Sequence, residues 1–403
     1  MSLASSSAVT VRAIKESTFG VIPVAGNPSV LRVTGESLSF EMSKEASKEI
    51  NSRRTIASMT TTSAKASGGL DHEVYYAGVE PLLESTMQSA FSEFGTDGVG
   101  ATVSVDVTTT TITAAIAPTG ANAFTTLQKG QWFRLVSAGV NNGNILRVST
   151  ITAPTSTVIT LDVSTVGVAA TGESVQIQSA RLTHGTTKTS WTIERENSDI
   201  GVFMAYTGMT PSKFTMAVSS GSLSSLKFEF MGKAAVEANA TQLPGSPVDA
   251  PTYNIHSGVG GATNAIWMDG VPVAGTYVKS VTLNFDNALR SQEAIGTLGA
   301  VGIGTGTINC TADVQVYFAN KDLFTKYRTN VNTSLIFAST DEAGNGYIFT
   351  LPVGNISTWK SNAGSKDNDQ MIDVTLTALS DDSNAVAGLR KCLFVDRIGV
   401  AVV

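Results

Sequence analysis

Hydrophobic and polar positions change their spacing within residues 70–91, from the alternation of a strand to the period of a helix. Residues 70–76 (LDHEVYY) alternate between two faces, with Asp71 and Glu73 on one of them, as a half-buried strand requires. Pro81 then stands where the first turn of a helix tolerates a missing N–H, and apolar side chains recur after it at three- or four-residue spacing. The pattern predicts a strand followed by a short helix that lies on a sheet.

The same polar and apolar pattern occurs twice along the chain. The matched pairs are residues 70–77 with 312–319, 36–42 with 279–285, 203–208 with 347–352, and 226–230 with 372–376. The offset is 242 at Asp71 (313 − 71) but 146 at Leu226 (372 − 226), so the first copy holds roughly a hundred extra residues. These matches predict a duplicated β unit with a domain inserted into the first copy. The alternative is two unrelated runs of strands.

The strand, helix and turn signals predict a mainly β protein with two tandem β-sandwich units, each flanked by a short helix. Short, evenly spaced strands separated by Gly, Pro and Asn predict a small β-barrel or sandwich as the insert. The predicted parts are an N-terminal arm (residues 1–35), unit 1 (36–95 plus 182–235), the insert (96–181), a linker with a hairpin (236–276), unit 2 (277–380) and a C-terminal arm or strand (381–403). Long polar or glycine-rich connections at 43–69 and 287–307 occupy corresponding places in the two copies.

Composition narrows the classes of function. Only 15 % of the 403 residues are charged and the net charge is −6, so bulk electrostatics favour neither nucleic acid nor an anionic membrane. No run of about eighteen apolar residues occurs, and the first residues lack an apolar signal core, which predicts a soluble chain without an export signal. Cys310 and Cys392 are expected to be packed thiols rather than a disulfide, a metal pair or a nucleophile.

Catalytic or cofactor chemistry finds little support in the sequence. His72 lies on the apolar face of its strand, and His184 and His256 have no second His or Cys at zinc spacing. The glycines of residues 302–306 do not form G-x-G-x-x-G. A carbohydrate-active enzyme would need a pair of acids facing aromatic side chains, and the four tryptophans are dispersed without one. We therefore expect no enzyme activity, no cofactor and no metal.

The polar faces of the predicted strands carry an excess of acids. Side chains alternate between the two faces of a strand. If the apolar positions face a core, seven carboxylates and a single base, Lys227, therefore lie on the opposite face. These acids are Glu41, Asp71, Glu73, Glu229, Asp286, Asp313 and Asp373. An acidic wall repels phosphates and would let nucleic acid slide past, whereas a nucleic-acid-binding sheet is basic and aromatic. The alternative is an ordinary solvated face of antiparallel sheets.

As an ordered set, several short motifs outside the insert resemble the tail tube (major tail) proteins of long-tailed bacteriophages. In the first copy they are RRTI at 53–56, WTIER at 191–195, FMAYTGM at 203–209 and LKFEFMGK at 226–233. In the second copy they are LNFDNALR at 283–290, the glycines of 302–306, DEAGNG at 341–346, YIFTLP at 347–352 and DVTLTAL at 373–379. The resemblance implies a β-sandwich with a flanking helix, one sheet of which joins its neighbours to line a closed tube.

The resemblance also implies a function and partners. The chain would be a non-catalytic virion subunit, assembled in the host cytoplasm, whose acidic lumen conducts DNA during ejection without binding it. Its partners would be further copies of itself and the tape measure, tail terminator and distal tail proteins, with no membrane. Ring stacking would use loops that contain Arg53, Arg54, Arg290, Gly302 and Gly304. Because single-unit members form hexameric rings, two units per chain predict a homotrimer with pseudo-sixfold symmetry, and a hexamer is the alternative.

Under this resemblance the insert would decorate the outside of the tube. Another viral structural protein, such as a capsid decoration protein, or an adhesive β-domain protein is the alternative function. Either alternative predicts neither a ring nor an acidic inward face.

Overall fold

The computed structural model describes residues 3–50, 52–53, 55–164, 166–259, 266–272, 277–362, 366–382, 384 and 389–399. These residues are mainly β-structure with two short α-helices and three single-turn 3-10 helices, Ser6–Ala8, Gly120–Asn122 and Phe124–Thr126. The first elements are β1 (Val9–Lys15), β2 (Ser29–Leu31), β3 (Gly35–Glu36), β4 (Ser39–Ala46), β5 (Met59–Glu73), α1 (Glu80–Met87) and β6 (Ser92–Glu93). Next come β7 (Val103–Val107), β8 (Thr111–Ala114), β9 (Trp132–Ser137), β10 (Ile145–Val148), β11 (Val158–Ser164) and β12 (Ala170–Gln178).

The remaining elements complete two layers of sheet. They are β13 (Ala180–Thr183), β14 (Trp191–Asn197), β15 (Val202–Ser219), β16 (Ser225–Gly232), β17 (Ala234–Ala238), β18 (Ile266–Met268), β19 (Val271–Pro272) and β20 (Val278–Asp286). After these come β21 (Arg290–Gln292), β22 (Gly302–Gly304), β23 (Asn309–Tyr317), α2 (Asp322–Thr329), β24 (Thr333–Thr340), β25 (Gly346–Asn362), β26 (Met371–Leu379) and β27 (Phe394–Ile398). In the described part of the chain no helix has the length and apolarity needed to span a membrane.

One layer is an antiparallel sheet of eight strands in the order β4-β5-β16-β15-β20-β23-β26-β25, which we call the eight-stranded sheet. The strands β15 and β25 are long enough to serve two layers. Their C-terminal halves belong to the eight-stranded sheet, and their N-terminal halves pair with β14 and β17 or with β24 and β27 in the second layer. A continuous apolar core fills the space between the layers and contains buried side chains from both units.

The two halves of the chain repeat the same strand order. The order β4-β5-β16-β15 of unit 1 recurs as β20-β23-β26-β25 in unit 2. Two β-bulges fix the equivalence. The bulge at Ser212 recurs at Ser357, a shift of 145 (357 − 212), and the bulge of β15 opposite Thr192 recurs in β25 opposite Ser334, where the facing residues differ by 142 (334 − 192). Two tandem sandwich units, each with one helix, are therefore present, as the sequence predicts.

The cross-strand registers correct the offsets read from sequence. By the pairing of the strands, β5 of unit 1 is equivalent to β23 of unit 2 with a shift of 244 residues, and β4 is equivalent to β20 with a shift of 245. The sequence matches gave shifts of 242 and 243. A two-residue error keeps every side chain on its proper face. The match of 203–208 with 347–352 is wrong by one residue, because both segments are buried on both faces and their alternation carries no register.

The insert is a closed six-stranded barrel in the order β10-β11-β8-β7-β12-β9 with its own apolar core. Its entry and exit segments are adjacent, because β6 and β13 pair directly, with Glu93 opposite Ala180. The barrel packs on β24, β25 and β27 through Trp132 and Trp267, whose ring centroids are 5.0 Å apart. Ile336 faces the barrel while its neighbour Phe337 faces the core, so the second layer of unit 2 is covered on both sides.

Some segments are more ordered than the sequence predicts. Residues 9–15 form β1, which pairs with β14 and β2 and buries Val11 and Ala13, so this part of the predicted arm belongs to the sheet. The predicted long connection at 43–69 shortens to 47–58, since β4 and β5 form a hairpin that buries Ala64 and Ala66. Small residues alternating with Ser, Thr and Lys have the pattern of a strand that buries little area, and composition makes such a strand look like a loop.

Candidate assembly interface

The eight-stranded sheet turns one face to the core and an opposite polar face outward. Residue parity along the ladders places the seven acids predicted from sequence together on this polar face. The opposite face carries core residues such as Phe214, Phe228 and Phe285, which are fully buried.

Lysines on the polar face are more numerous than the sequence indicates. The same parity that places Lys227 there also places Lys65, Lys213 and Lys360. Lys65 lies 3.2 Å from Glu41, and Lys213 and Lys227 lie 3.9 Å from Glu229 and Asp71. The predicted ratio of seven acids to one base considered the bases of only some of the strands. With these four lysines the ratio of acids to bases is seven to four. An acid excess remains, and three of the seven acids are paired with a lysine at the surface.

Polar side chains form a hydrogen-bonded row that crosses from unit 1 to unit 2. Thr215 on β15 hydrogen-bonds Asn284 on β20 at 2.9 Å, and the Asn284 amide donates to Asp313 at 3.3 Å. Asp313 also accepts from the Thr375 hydroxyl at 2.6 Å, and the Gln315 amide donates to a neighbouring carboxylate on β26. These bonds involve two of the seven acids, one on β23 and one on β26.

The junction between the two units is an ordinary antiparallel strand pair. Lys213 lies opposite Asp286, and the pairing continues to Ser219 opposite Ser280. On its core face the Phe214 and Phe285 rings stack with centroids 5.4 Å apart and planes 13° apart. At its end the Asn287 amide donates to the carbonyl of Thr86 on α1 at 2.6 Å. Unit 2 thus continues the sheet of unit 1 and contacts the end of the helix of unit 1.

The residues predicted for ring stacking lie in the two equivalent β4–β5 and β20–β23 connections. Arg53 is exposed, and Arg54 lies outside the described residues. Arg290 is exposed on β21, where it pairs with Gly304 of β22, and its guanidinium donates to the Thr305 carbonyl at 3.1 Å. Gly302 lies opposite Gln292 on the same two-stranded ribbon. Both connections expose large apolar side chains. These side chains are Ile50 and Ile56 in the first and Ile295, Leu298 and Val301 in the second.

Buried charges that sequence reasoning missed join the barrel, β27 and α1. Arg181 donates from Nε and Nη2 to the carboxylate of Asp396, both bonds at 2.7 Å, and both side chains are buried. Arg397 pairs with Glu80 at 2.7 Å and Glu93 at 2.6 Å. Burial raises the pKa of Glu80 and of Asp396, and the facing guanidinium lowers each, which opposes that rise. The signal available in the sequence was adjacent Asp and Arg within the apolar segment LFVDRIGV.

No set of three or more His, Cys, Asp or Glu side chains in the described residues is arranged to hold a metal ion. His72 and His256 are buried, and burial lowers the pKa of both, that of His256 to about 4. The Cys310 and Cys392 thiols are free and hydrogen-bonded to each other, a contact that raises the pKa of Cys310 and lowers that of Cys392. A cavity of about 400 Å³ between the barrel and unit 2 is lined by Arg147, Arg181 and Asp269 among others.

Comparison with known proteins covers nearly the whole chain. A family model described as phage tail tube protein matches residues 6–378, which includes both units and the barrel. No curated protein matches the chain. The match agrees with the resemblance carried by the short motifs of the two copies.

Proposed function

This chain belongs to the phage tail tube protein family, and we propose that three copies close into a ring whose stacking builds a tube that conducts DNA. Each chain supplies two equivalent sandwich units, so three chains supply six. The polar face of the eight-stranded sheet lines the lumen under this proposal. Ring-to-ring contacts use the β4–β5 and β20–β23 connections, including Arg53, Arg290, Gly302 and Gly304, together with Arg54.

One observation carries the proposal: the two units lie head to tail in one continuous sheet. The C-terminal half of β15 joins β20, and the order of four strands then repeats. Such heterologous contacts generate a closed ring whenever the rotation between units closes. Closure also removes the two open edges of the sheet, which a monomer would leave exposed to unwanted pairing.

The position of the barrel and the charge of the polar face support the assignment of which surface faces outward and which faces the lumen of this ring. The barrel packs on the side of the second layer that faces away from the eight-stranded sheet, so it decorates the exterior when that sheet faces the lumen. Seven carboxylates against four lysines leave the polar face acidic. An acidic wall repels the phosphates of passing DNA.

We assign no catalytic role to the chain. Its partners under this proposal are other copies of the same chain within and between rings, and the tape measure, tail terminator and distal tail proteins along the tail axis and at its ends. The place of function is the virion, with assembly in the host cytoplasm. The family supports self-assembly into a tube, and the other partners are part of the proposal.

The full-length chain, purified and concentrated, tests the proposal by cryo-electron microscopy and native mass spectrometry. We expect tubes or rings with six lobes around a lumen, and a ring mass of about 126 kDa for three chains of 41.9 kDa. A ring of twice that mass, with twelve units, would overturn the trimer. Monomers that remain discrete at high concentration would overturn the tube and favour a decoration or adhesive protein.

A further inference from the structure

The strand pair that joins the two units inside the chain is a template for the contact between chains. We infer that the C-terminal half of β25 pairs antiparallel with β4 of the next copy, in one register: Thr358 opposite Glu41, Trp359 opposite Phe40, and Lys360 opposite Ser39. This inference rests on the proposed ring. It specifies the partner surface and the residue pairs, which the ring alone does not.

The register follows from the internal repeat. The bulges map β15 onto β25 with a shift of 145, and the ladders map β20 onto β4 with a shift of 245. Inside the chain Phe214 lies opposite Phe285. The same shifts turn this pair into Trp359 (214 + 145) and Phe40 (285 − 245).

Both edges that this register joins are free within the described residues. The strand β4 pairs only with β5, and residues 357–362 of β25 pair only with β26. The side chains at the two edges reproduce the chemistry of the internal junction. Trp359 and Phe40 are half-buried aromatic residues that pack against the core. They occupy the positions equivalent to those of the stacked Phe214 and Phe285.

The exposed apolar surface beside these edges gives a second, independent observation. The helix α1 buries six of its residues, whereas its equivalent α2 buries none. In the internal junction Asn287, just after β20, contacts the end of α1. The shift of 245 makes Met42 the equivalent of Asn287, and the Met42 side chain is 46 % exposed. On α2 the side chains of Phe324 and Tyr327 are 41 % and 40 % exposed. In the inferred register Met42 of one chain covers α2 of another.

The polar face of the inferred pair is also compatible in charge. Lys360 is two positions diagonal from Glu41 across the strands, a spacing that long side chains bridge. In the internal junction the corresponding polar positions are Thr215 and Asp286, beside Lys213. No like charges lie directly opposite each other in the three assigned pairs.

Disulfide trapping in assembled tubes tests the register. Asn287 donates its backbone N–H to the Ser212 carbonyl at 3.0 Å, so the pair one residue further, Lys213 and Asp286, is a non-hydrogen-bonded pair. The same parity makes Lys360 and Ser39 non-hydrogen-bonded, with Cα atoms about 4.5 Å apart, which is within disulfide range. The variant S39C with K360C should form tubes and, after mild oxidation, disulfide-linked species that end at a closed trimer.

Two controls make the result specific. The pair E41C with K360C, shifted by two positions along β4, should crosslink at least tenfold more slowly, and S39C or K360C alone should give no ladder. Tubes in which the shifted pair crosslinks faster would overturn the register and leave the ring intact. Folded protein that forms neither rings nor tubes, with the parent chain behaving alike, would overturn the proposed function itself. A hydrophobic test supports the same contact: Met42→Asp should abolish assembly while leaving the thermal unfolding of the monomer within about 2 °C, because this side chain is exposed in the chain.

Discussion

The buried pair of Arg181 and Asp396 joins β13, the strand that leaves the barrel, to the C-terminal strand. The Asp396 carboxylate accepts two bonds from the guanidinium and a third from the backbone N–H of Trp132 at 3.1 Å. Asp396→Asn leaves a buried guanidinium without its counter-charge, so we expect a loss of about 3–5 kcal/mol in the free energy of unfolding. Chemical denaturation of the unassembled chain measures this.

The matched control for this prediction is an exposed ion pair. Lys65 and Glu41 pair at 3.2 Å with both side chains more than half exposed, so Lys65→Gln should change stability by less than about 1 kcal/mol. Equal losses in the two variants would contradict the assignment of Asp396 as the anchor of this region.

His256 links stability to pH. It is fully buried, its Nδ1 lies 3.1 Å from the Ser339 hydroxyl, and burial lowers its pKa to about 4. The unfolded histidine titrates near pH 6.5, so between these values the unfolded chain binds a proton that the folded chain excludes. Stability is therefore full above about pH 6.5 and falls as the pH drops toward 4, by at most about 1.4 kcal/mol per pH unit. His72, whose pKa is lowered by burial, contributes in the same direction.

The substitution His256→Asn tests this linkage. The unfolding temperature of the parent should fall more steeply between pH 7 and pH 5 than that of the variant. A comparison at pH 8, where the histidine is neutral in both states, gives the cost of the substitution itself. Identical pH profiles for the two proteins would show that His256 does not control the acid response.

At the residue scale, sequence parity predicted which side chains share a face but not which charges meet. The seven acids lie on one polar face because period two is a local property of each strand. Lys213 and Lys360 were missed because their membership of that sheet depends on the long strands β15 and β25, which the sequence presents as several short runs. Arg181 and Asp396 are 215 positions apart in the chain, and no local pattern encodes their contact.

At the element scale, the barrel has the properties of a removable module. It has its own core, and its entry and exit strands β6 and β13 already pair as a hairpin would. Replacing residues 96–178 with a short Gly/Ser linker should therefore give a chain that folds and assembles into narrower tubes. Its unfolding temperature should fall, because Trp267, Ile336 and Ile348 lose their cover.

Two measurements separate the barrel from the ring. Electron microscopy of the excised variant gives the diameter, and Trp132→Ala in the intact chain gives a matched control in which the barrel stays but its contact with Trp267 is lost. That variant should assemble normally and lose about 3–5 kcal/mol in stability. Failure of the folded excised chain to assemble would place the barrel within the ring contacts instead of on the exterior.

The elements themselves were predicted with uneven success, for a physical reason. The strand-to-helix stretches at β5–α1 and β23–α2 each carry two contrasting periods, and the first also has a proline at the start of its helix, so their local pattern is sufficient. The strands β15 and β25 each contain a bulge as they pass between layers, and the sequence match covers only their N-terminal halves, 203–208 and 347–352, because the bulge breaks the alternation. The N-terminal strand β1 was missed because a seven-residue strand with a charged position at Arg12 is held by its partners β14 and β2.

At the scale of the whole molecule, the proposed lumen makes a prediction about DNA. If the polar face lines the bore, then Glu73→Lys with Glu229→Lys raises the net charge of the surface that passing DNA meets by four units per chain. The variant should assemble, since both residues lie on the polar face and neither belongs to the inferred contact between chains. Tubes assembled with a short fluorescent duplex in about 50 mM salt should retain DNA that nuclease does not digest, whereas parent tubes should retain none.

The decisive control places the same charge on the other side of the molecule. Asp106 on the barrel and Glu342 beside the second layer are exposed, and their replacement by lysine changes the net charge by the same amount. DNA bound by these tubes should lie outside and be digested, so protection distinguishes the two surfaces even if total binding is equal. Nuclease protection in the control variant and not in the Glu73 and Glu229 variant would reverse the assignment of inside and outside. The barrel would then face the bore, and the acidic sheet would form the outer wall.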